Sequence, residues 1–336
     1  MGVAGLHLSA VPARAGSAGG AWFRQPQMLT EGFVMEFVLH VVGRSRSCRL
    51  WSSPPFRDAG THPTATPSAL CQERAADGLA LVLTRGVDAG GELHAGAIPA
   101  LGLGGEGMGY EGIRDSVALE FDVATNLHLG DPSGNHISWQ SRGPGRPNSP
   151  AHAASLSHSS TIPLLSDGLG HRVRVRYDRE MEASHVQDPA FHFSSPSSAT
   201  AFLTLGHGGG GGEGRGGRGG RGGGEDGGPG VMTVWIDDLT RPVLVSPINL
   251  PVLLGLGPDE KVWVGMTSGA GEEFAQVVLS SWTLLDTACP SDCTDRGRCT
   301  QGKCECDAGF EGAHCADHVT SLPRESVVME NLRAHR

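Results

Sequence analysis

Short stretches in which every second side chain is apolar recur along this chain, and none of its segments carries apolar residues at the 3.6-residue period of a helix. In HRVRVRY, residues 171–177, Val173, Val175 and Tyr177 leave one face of an extended backbone while Arg172, Arg174 and Arg176 leave the other. GFVMEFVLHVV, GLALVLT, SVALEFDV, NHISWQ, VMTVWIDDL, KVWVGMT and AQVVLSSWTLL are β-rich in the same way. A half-buried sheet has one wetted face and one dry one, and Gly/Pro turns between many such strands specify an antiparallel sandwich or barrel. The chain is therefore expected to be all-β.

Three segments interrupt the strands: residues 44–70, rich in Ser, Pro and Thr; residues 141–168, rich in Pro, His and Ser; and residues 179–230, which end in a glycine tract. That tract holds 17 glycines between positions 206 and 230 and three Arg-Gly-Gly triplets. Arginine-glycine arms can bind RNA, but Glu213, Glu225 and Asp226 cancel Arg215, Arg218 and Arg221, and no aromatic is there to stack on a base. A flexible loop between strands is the expected reading. The net charge of −10 also argues against general nucleic-acid binding and suits an acidic, cation-binding surface. No apolar run reaches the 18 residues of a membrane span.

Six of the eight cysteines fall between Cys289 and Cys315, a density that belongs to an oxidising compartment. The first residues, MGVAGLHLSAVPARAGSAGG, lack the basic and apolar regions of a signal peptide. The two observations conflict, and we resolve them by expecting a secreted or cell-surface protein whose true start lies upstream.

The chemistry concentrates in VALEFDVATNLHLGDPSGNHISW, residues 117–139. Glu120 and Asp122 are two apart on an extended run, so both carboxylates leave the same face and repel each other unless a cation lies between them. Asp122, Asn126 and Asp131 suit Ca²⁺, which takes carboxylate, amide and carbonyl oxygens. Glu120, Asp122, Asp131 and His136 suit a transition ion such as Mn²⁺, which also accepts imidazole. Asp122 and Asp131 would bridge the two ions. Asp131-Pro132-Ser133-Gly134 is a turn sequence that folds the loop back over the strand end. On spacing alone, an ordinary polar loop with Glu120 facing solvent is the competing reading.

SVALEFDVATNLHLGDPSGNHISW resembles the metal-binding loop of the legume-type (L-type) lectins, E-x-D-x-x-x-N followed by G-D-P and a His five residues after that Asp. The resemblance implies a concanavalin-like jelly-roll sandwich. It implies Mn²⁺ on Glu120, Asp122, Asp131 and His136, and Ca²⁺ on Asp122, Asn126, Asp131 and the carbonyl of Ala124. ADGLALVL resembles the strand whose Asp, Asp77 here, follows a cis peptide and accepts from sugar hydroxyls. GLGGEGMGYEGI resembles the Gly-rich loop whose backbone N–H donates to the sugar, placing Gly105, Glu106 and Gly107 at the site. VWVGMTSGAGEEFAQVVLSSW resembles the last two strands with the specificity loop between them, which carries Glu272 and Glu273. The similarity spans residues 3 to about 285. It implies a glycan- or glycoprotein-binding module with no enzymatic activity, a candidate to self-associate through a sandwich face. Three features depart from the family: no aromatic stands near Ala124 or Thr125, Glu106 replaces a glycine, and Glu272 and Glu273 stand where the specificity loop often has a small residue and an acid. A glycoside hydrolase on the same sandwich would need E-x-D-x-x-E, but Thr125 stands where the second Glu belongs. A structural adhesion protein on this fold, with no sugar ligand, is the other alternative.

The tail CPSDCTDRGRCTQGKCECDAGFEGAHC, with C-x-C spacing also found in zinc sites, resembles an epidermal-growth-factor-like (EGF-like) module, whose turn Gly309, Phe310 and Gly312 match. The family pattern implies Cys289–Cys299, Cys293–Cys304 and Cys306–Cys315, with no Ca²⁺ in this module. In a unit this small, bridges replace a core. The expected division is a sandwich at 1–285, the module at 286–316 with an adhesive or spacer role, and a tail at 317–336. Cys48 and Cys71 flank the first insertion and are candidates to pair.

Overall fold

The computed structural model describes residues 3–10, 12–50, 69–86, 99–193, 230–257, 260–286, 296–300, 303–312 and 315–318. Its first unit, Met1–Leu285, is built of β1 (Leu6–His7), β2 (Ala18–Trp22), β3 (Gly32–Val42), β4 (Ser45–Leu50), β5 (Ala69–Arg74), β6 (Gly78–Thr84) and β7 (Ser116–Asp122). β8 (His136–Gln140), β9 (Ser155–Ser159), β10 (Gly170–Asp178), β11 (Val231–Ile236), β12 (Leu244–Pro247), β13 (Trp263–Gly269) and β14 (Gln276–Asp286) complete it. One six-stranded sheet has the order β1-β14-β3-β10-β11-β12 and the other β2-β13-β6-β7-β8-β9. β10 runs antiparallel to β3 and β11, and β7 to β6 and β8. The all-β antiparallel sandwich expected from the alternation is the fold observed.

Alternation explains the core. β3 turns Phe33, Met35, Phe37, Leu39 and Val41 inward, and β10 turns Val173, Val175 and Tyr177 inward. The β10 arginines take the wet face, where Arg172 and Arg174 both bind Glu36 of β3, each at 2.7 Å. β7 answers from the other sheet with Val117, Leu119 and Phe121, and Phe37 meets Phe121 edge to face at 5.7 Å. Side chains buried from both sheets in one cluster supply the main stabilising term of such a fold.

The outer face of β7 is buried too. Ala118 lies under a small cluster of Ala80, Val82, Met108 and Tyr110, because the loop from residue 99 to 115 folds across it. That cover is what buries Glu120 and Asp122. Gly78, at φ +146°, lets the loop and β7 close on the start of β6: a Cβ there would lie 2.2 Å from the Phe121 carbonyl oxygen.

Inside the segments expected to interrupt the strands, β4 and β5 pair with Cys48 opposite Cys71, β9 edges a sheet, and a short helix α1 (Ala183–Val186) forms. The side chains of Cys48 and Cys71 are not among those described, nor is nearly all of the glycine tract. A second short helix, α2 (Leu250–Leu254), starts where Asn249 accepts the Val252 N–H and stops at Gly255. One turn is too short to show a helical period, which is why the period predicts neither helix.

In the second unit, Asp286–Arg336, β15 (Gly297–Thr300) pairs with β16 (Lys303–Cys306), and β17 (Phe310–Glu311) pairs with β18 (Asp317–His318). Cys306 and Cys315 form a disulfide with a Cα separation of 5.3 Å. Cys304 is also disulfide-bonded. Cys289, Cys293 and the side chain of Cys299 lie outside the described residues.

Candidate metal and ligand site

Strand register assembles the site. β7 pairs with β8 so that Asp122 lies opposite His136, Glu120 opposite Ser138 and Ala118 opposite Gln140. Alternation then puts His136, Ser138 and Gln140 on the same outer face as Glu120 and Asp122. The loop between the strands turns back so that Asp131 joins them: one ligand atom from each of Asp122, Asp131 and His136 lies within 4.8 Å of the others. Ligands about 2.0–2.6 Å from a common ion span distances of this size. His136 Nδ1 lies 2.9 Å from the Ser133 carbonyl and therefore carries the hydrogen, leaving the Nε2 lone pair for a cation. Burial pushes this imidazole down to about 4, so it is neutral at pH 7.

Asp122 Oδ1 accepts the Ala124 N–H at 2.8 Å, and Asp131 Oδ2 accepts the Asn126 N–H at 2.6 Å. The two carboxylates thus hold the start of the loop as well as facing each other. Burial, then the neighbouring Glu120 and Asp131, pushes Asp122 up to about 9. Burial raises Asp131 as well. Asp122, held this far up, has no positive partner among the described residues, and a cation placed beside it would supply one.

Glu120 stands apart from that group of three. The Tyr110 hydroxyl donates to its Oε1, and Gln140 Nε2 donates to Oε2 at 2.8 Å. Burial pushes Glu120 up to about 8. Three of the four side chains expected around a transition ion therefore converge, and the fourth is tied to Tyr110 and Gln140. Spacing anticipates neither partner. Gln140 is within reach of sequence reasoning, two places along the same face as Ser138; Tyr110 arrives from a loop and carries no such signal.

Asp77 lies beside this cluster, after a cis Ala76–Asp77 peptide. It is buried; its Oδ2 accepts the Gly271 N–H at 2.7 Å, and among the described residues no donor reaches Oδ1. Burial, with Glu106, Glu273 and Asp131 adding like charge, pushes Asp77 up to about 6. Gly105, Glu106 and Gly107 form a single 3₁₀ turn, entered at Gly105 with φ +60°. The Gly107 N–H closes it on the Gly104 carbonyl at 3.2 Å, while the N–H groups of Gly105 and Glu106 have no backbone acceptor among the described residues. The Glu106 side chain takes the Asn126 amide: Nδ2 donates to its Oε2 at 3.2 Å. His128 Nε2 lies 3.1 Å from Oε1 of the same carboxylate.

A groove of about 600 Å³ opens here, lined among others by Arg44, Arg74, Asp77, Asn126, Glu272 and Glu273. Arg74 reaches Glu273 at 3.2 Å and Arg44 reaches Glu73 at 3.6 Å. The groove is lined by Val123, Ala124, Thr125 and Asn126, which directly follow Asp122 of the carboxylate cluster.

Comparison with known proteins bears on both units. Residues 289–318 match the family model of the Teneurin-like EGF domain. This segment is EGF-like. The search of curated proteins returns no match. Among solved structures, the chain is similar to lectin I-B4 from Griffonia simplicifolia in its metal-free form, at 17% identity and TM-score 0.43, covering 83% of this chain and 86% of that one. Peanut lectin with a 9mer peptide matches at 17% identity and TM-score 0.42, covering 84% and 86%. The VIP36 exoplasmic/lumenal domain in its Ca²⁺/Man3GlcNAc-bound form matches at 13% identity and TM-score 0.44, covering 83% and 78%. Likeness at this level carries no functional weight, and the chemistry of the site stands on its own residues.

Proposed function

We propose that this chain is a cation-dependent carbohydrate-binding protein, a lectin without enzymatic activity, acting outside the cytoplasm on glycans or glycoproteins. The observation that carries the reading is the convergence of Asp122, Asp131 and His136 next to a groove that holds Asp77 and Asn126. Asp122 and Asp131 would hold Ca²⁺ together with Asn126 and the Ala124 carbonyl, and would share Mn²⁺ or a similar ion with His136 and Glu120. Bound cations supply the positive charge that keeps these carboxylates ionised and the loop closed. The protein's own groups then do the recognition. Asp77 Oδ1 accepts from a sugar hydroxyl, and the Asn126 amide and a backbone N–H of the Gly105–Gly107 turn donate to sugar oxygens. Groups fixed beforehand lower the ordering cost of binding a flexible, polar ligand.

The EGF-like unit fits an extracellular or lumenal setting, where its disulfides persist. Among the described residues no helix is long and apolar enough to cross a membrane.

A second reading, an adhesion module with no sugar ligand, draws on the Glu106 carboxylate that already occupies the Asn126 amide. A glycan array probed with the full chain, with Ca²⁺ and Mn²⁺ or with excess chelator, decides between them. Binding that chelator abolishes supports the lectin; no binding under either condition supports the second reading.

A further inference from the structure

Asn126 joins the cation cluster to the groove: its N–H is on Asp131, and the residue lines the groove. The side-chain donor it presents there, Nδ2, is taken by Glu106 at 3.2 Å. His128 approaches the same carboxylate, 3.0 Å from Oε2. Glu106 is carried on a turn whose two ends, Gly105 and Met108, both have left-handed backbone, and the Met108 N–H closes on the Gly105 carbonyl at 2.9 Å. The charge is therefore presented from a fixed backbone position, and the side chain itself, held by Asn126 and His128, is 41% exposed.

Acidic side chains outnumber basic ones along the groove that Asn126 lines. Asp77, Glu272 and Glu273 line the groove, and against them stand Arg44 and Arg74, which bind Glu73 and Glu273. A sugar bearing a carboxylate and seeking the Asn126 amide would compete with Glu106 for the same donor in a field that is already negative. An ammonium would meet Glu106 as a charge-assisted partner. A neutral hydroxyl can donate to Glu106, or accept from Asn126 once Glu106 rotates away.

Resting on the lectin reading above, we propose that Glu106 sets the charge preference of this site, admitting neutral and amine-bearing sugars and excluding those that carry a carboxylate.

The test uses the full chain with saturating Ca²⁺ and Mn²⁺, as wild type, Glu106→Gln and Glu106→Gly. Glucose, galactose and mannose are each titrated alongside their 2-amino-2-deoxy and uronic acid forms. The readout is the ratio of neutral to acidic affinity for one ring, so a general weakening from a displaced Asn126 cancels. Wild type is expected to prefer the neutral sugar over its uronic acid at least tenfold, with the amino sugar bound no more weakly than the neutral one. Glu106→Gln, which keeps an acceptor for Asn126 and removes the charge, is expected to lower the neutral-to-acid ratio about tenfold, and Glu106→Gly to lower it similarly. Equal wild-type affinity for neutral and acidic forms, or an unmoved ratio in both variants, overturns the inference and leaves the lectin reading intact. Binding of none of these sugars by any of the three proteins overturns both.

Discussion

Asp77 is prepared to receive one ligand hydroxyl. Oδ2 is held by the Gly271 N–H and Oδ1 has no donor among the described residues, so removing the carboxylate removes an acceptor without breaking the sheet. Asp77→Ala is expected to lower sugar affinity at least a hundredfold and to leave the melting temperature within a few degrees, measured by calorimetric titration and thermal unfolding; retained affinity would show that the acceptor lies elsewhere. The buried carboxyls make a second prediction, this one about pH. Asp122, pushed up to about 9, and Glu120, pushed up to about 8, bind protons more tightly in the folded chain than in the unfolded one, where they titrate near 4. The cation-free protein therefore gains stability from these groups as pH falls from about 9 toward 5, and loses it as pH rises. Saturating Ca²⁺ and Mn²⁺ should flatten that trend, because ionised carboxylates then have a partner, and binding at pH 7 should release protons. Melting temperatures of chelated protein between pH 5 and pH 8 check the sign; a chelated protein that is more stable at pH 8 contradicts it.

At the scale of elements, the sandwich depends on Phe37 and Phe121 meeting across the two sheets at 5.7 Å. Phe121 sits between Glu120 and Asp122 on β7, so the residue that anchors the core also aims the two carboxylates outward. Phe121→Ala is expected to cost about 3–5 kcal/mol and, unlike Asp77→Ala, to weaken cation binding as well, read by denaturant unfolding with and without Ca²⁺. The same alternation makes most of this legible from sequence. Val173, Val175 and Tyr177 face inward and the β10 arginines outward as their period requires, and all eight β-rich runs are strands. Strands such as β2 (AGGAW), β9 (SLSHS) and β12 (LVSP) are not visible in this way, because they are short and small or polar, and it is neighbouring strands that hold them in the sheets. In the site, spacing points to Glu120, Asp122, Asn126, Asp131 and His136, of which Asp122, Asp131 and His136 converge. It does not show that Glu120 is held by Tyr110 and Gln140, or that Glu106 lies on Asn126 and His128. Those contacts depend on how a loop folds over a sheet, which no local period encodes.

Across the whole molecule, two units carry separate logics. The first, Met1–Leu285, is stabilised by a shared apolar core and brings one set of its acidic groups together at a rim; the second, Asp286–Arg336, relies on bridges such as Cys306–Cys315. The acidic rim is intelligible if cations hold it, and the position of Asn126, fastened through its N–H to Asp131, links cation occupancy to the groove. The direct measurement is sugar affinity as a function of free Ca²⁺, in wild type and in Asp131→Asn, using a glycan that the wild-type chain binds. Affinity is expected to rise with Ca²⁺ occupancy in wild type and to collapse in excess chelator, while Asp131→Asn binds neither sugar nor cation and gains no thermal stability from Ca²⁺. Sugar binding of equal affinity with and without chelator, or equal stabilisation of both proteins by Ca²⁺, would contradict cation-dependent recognition.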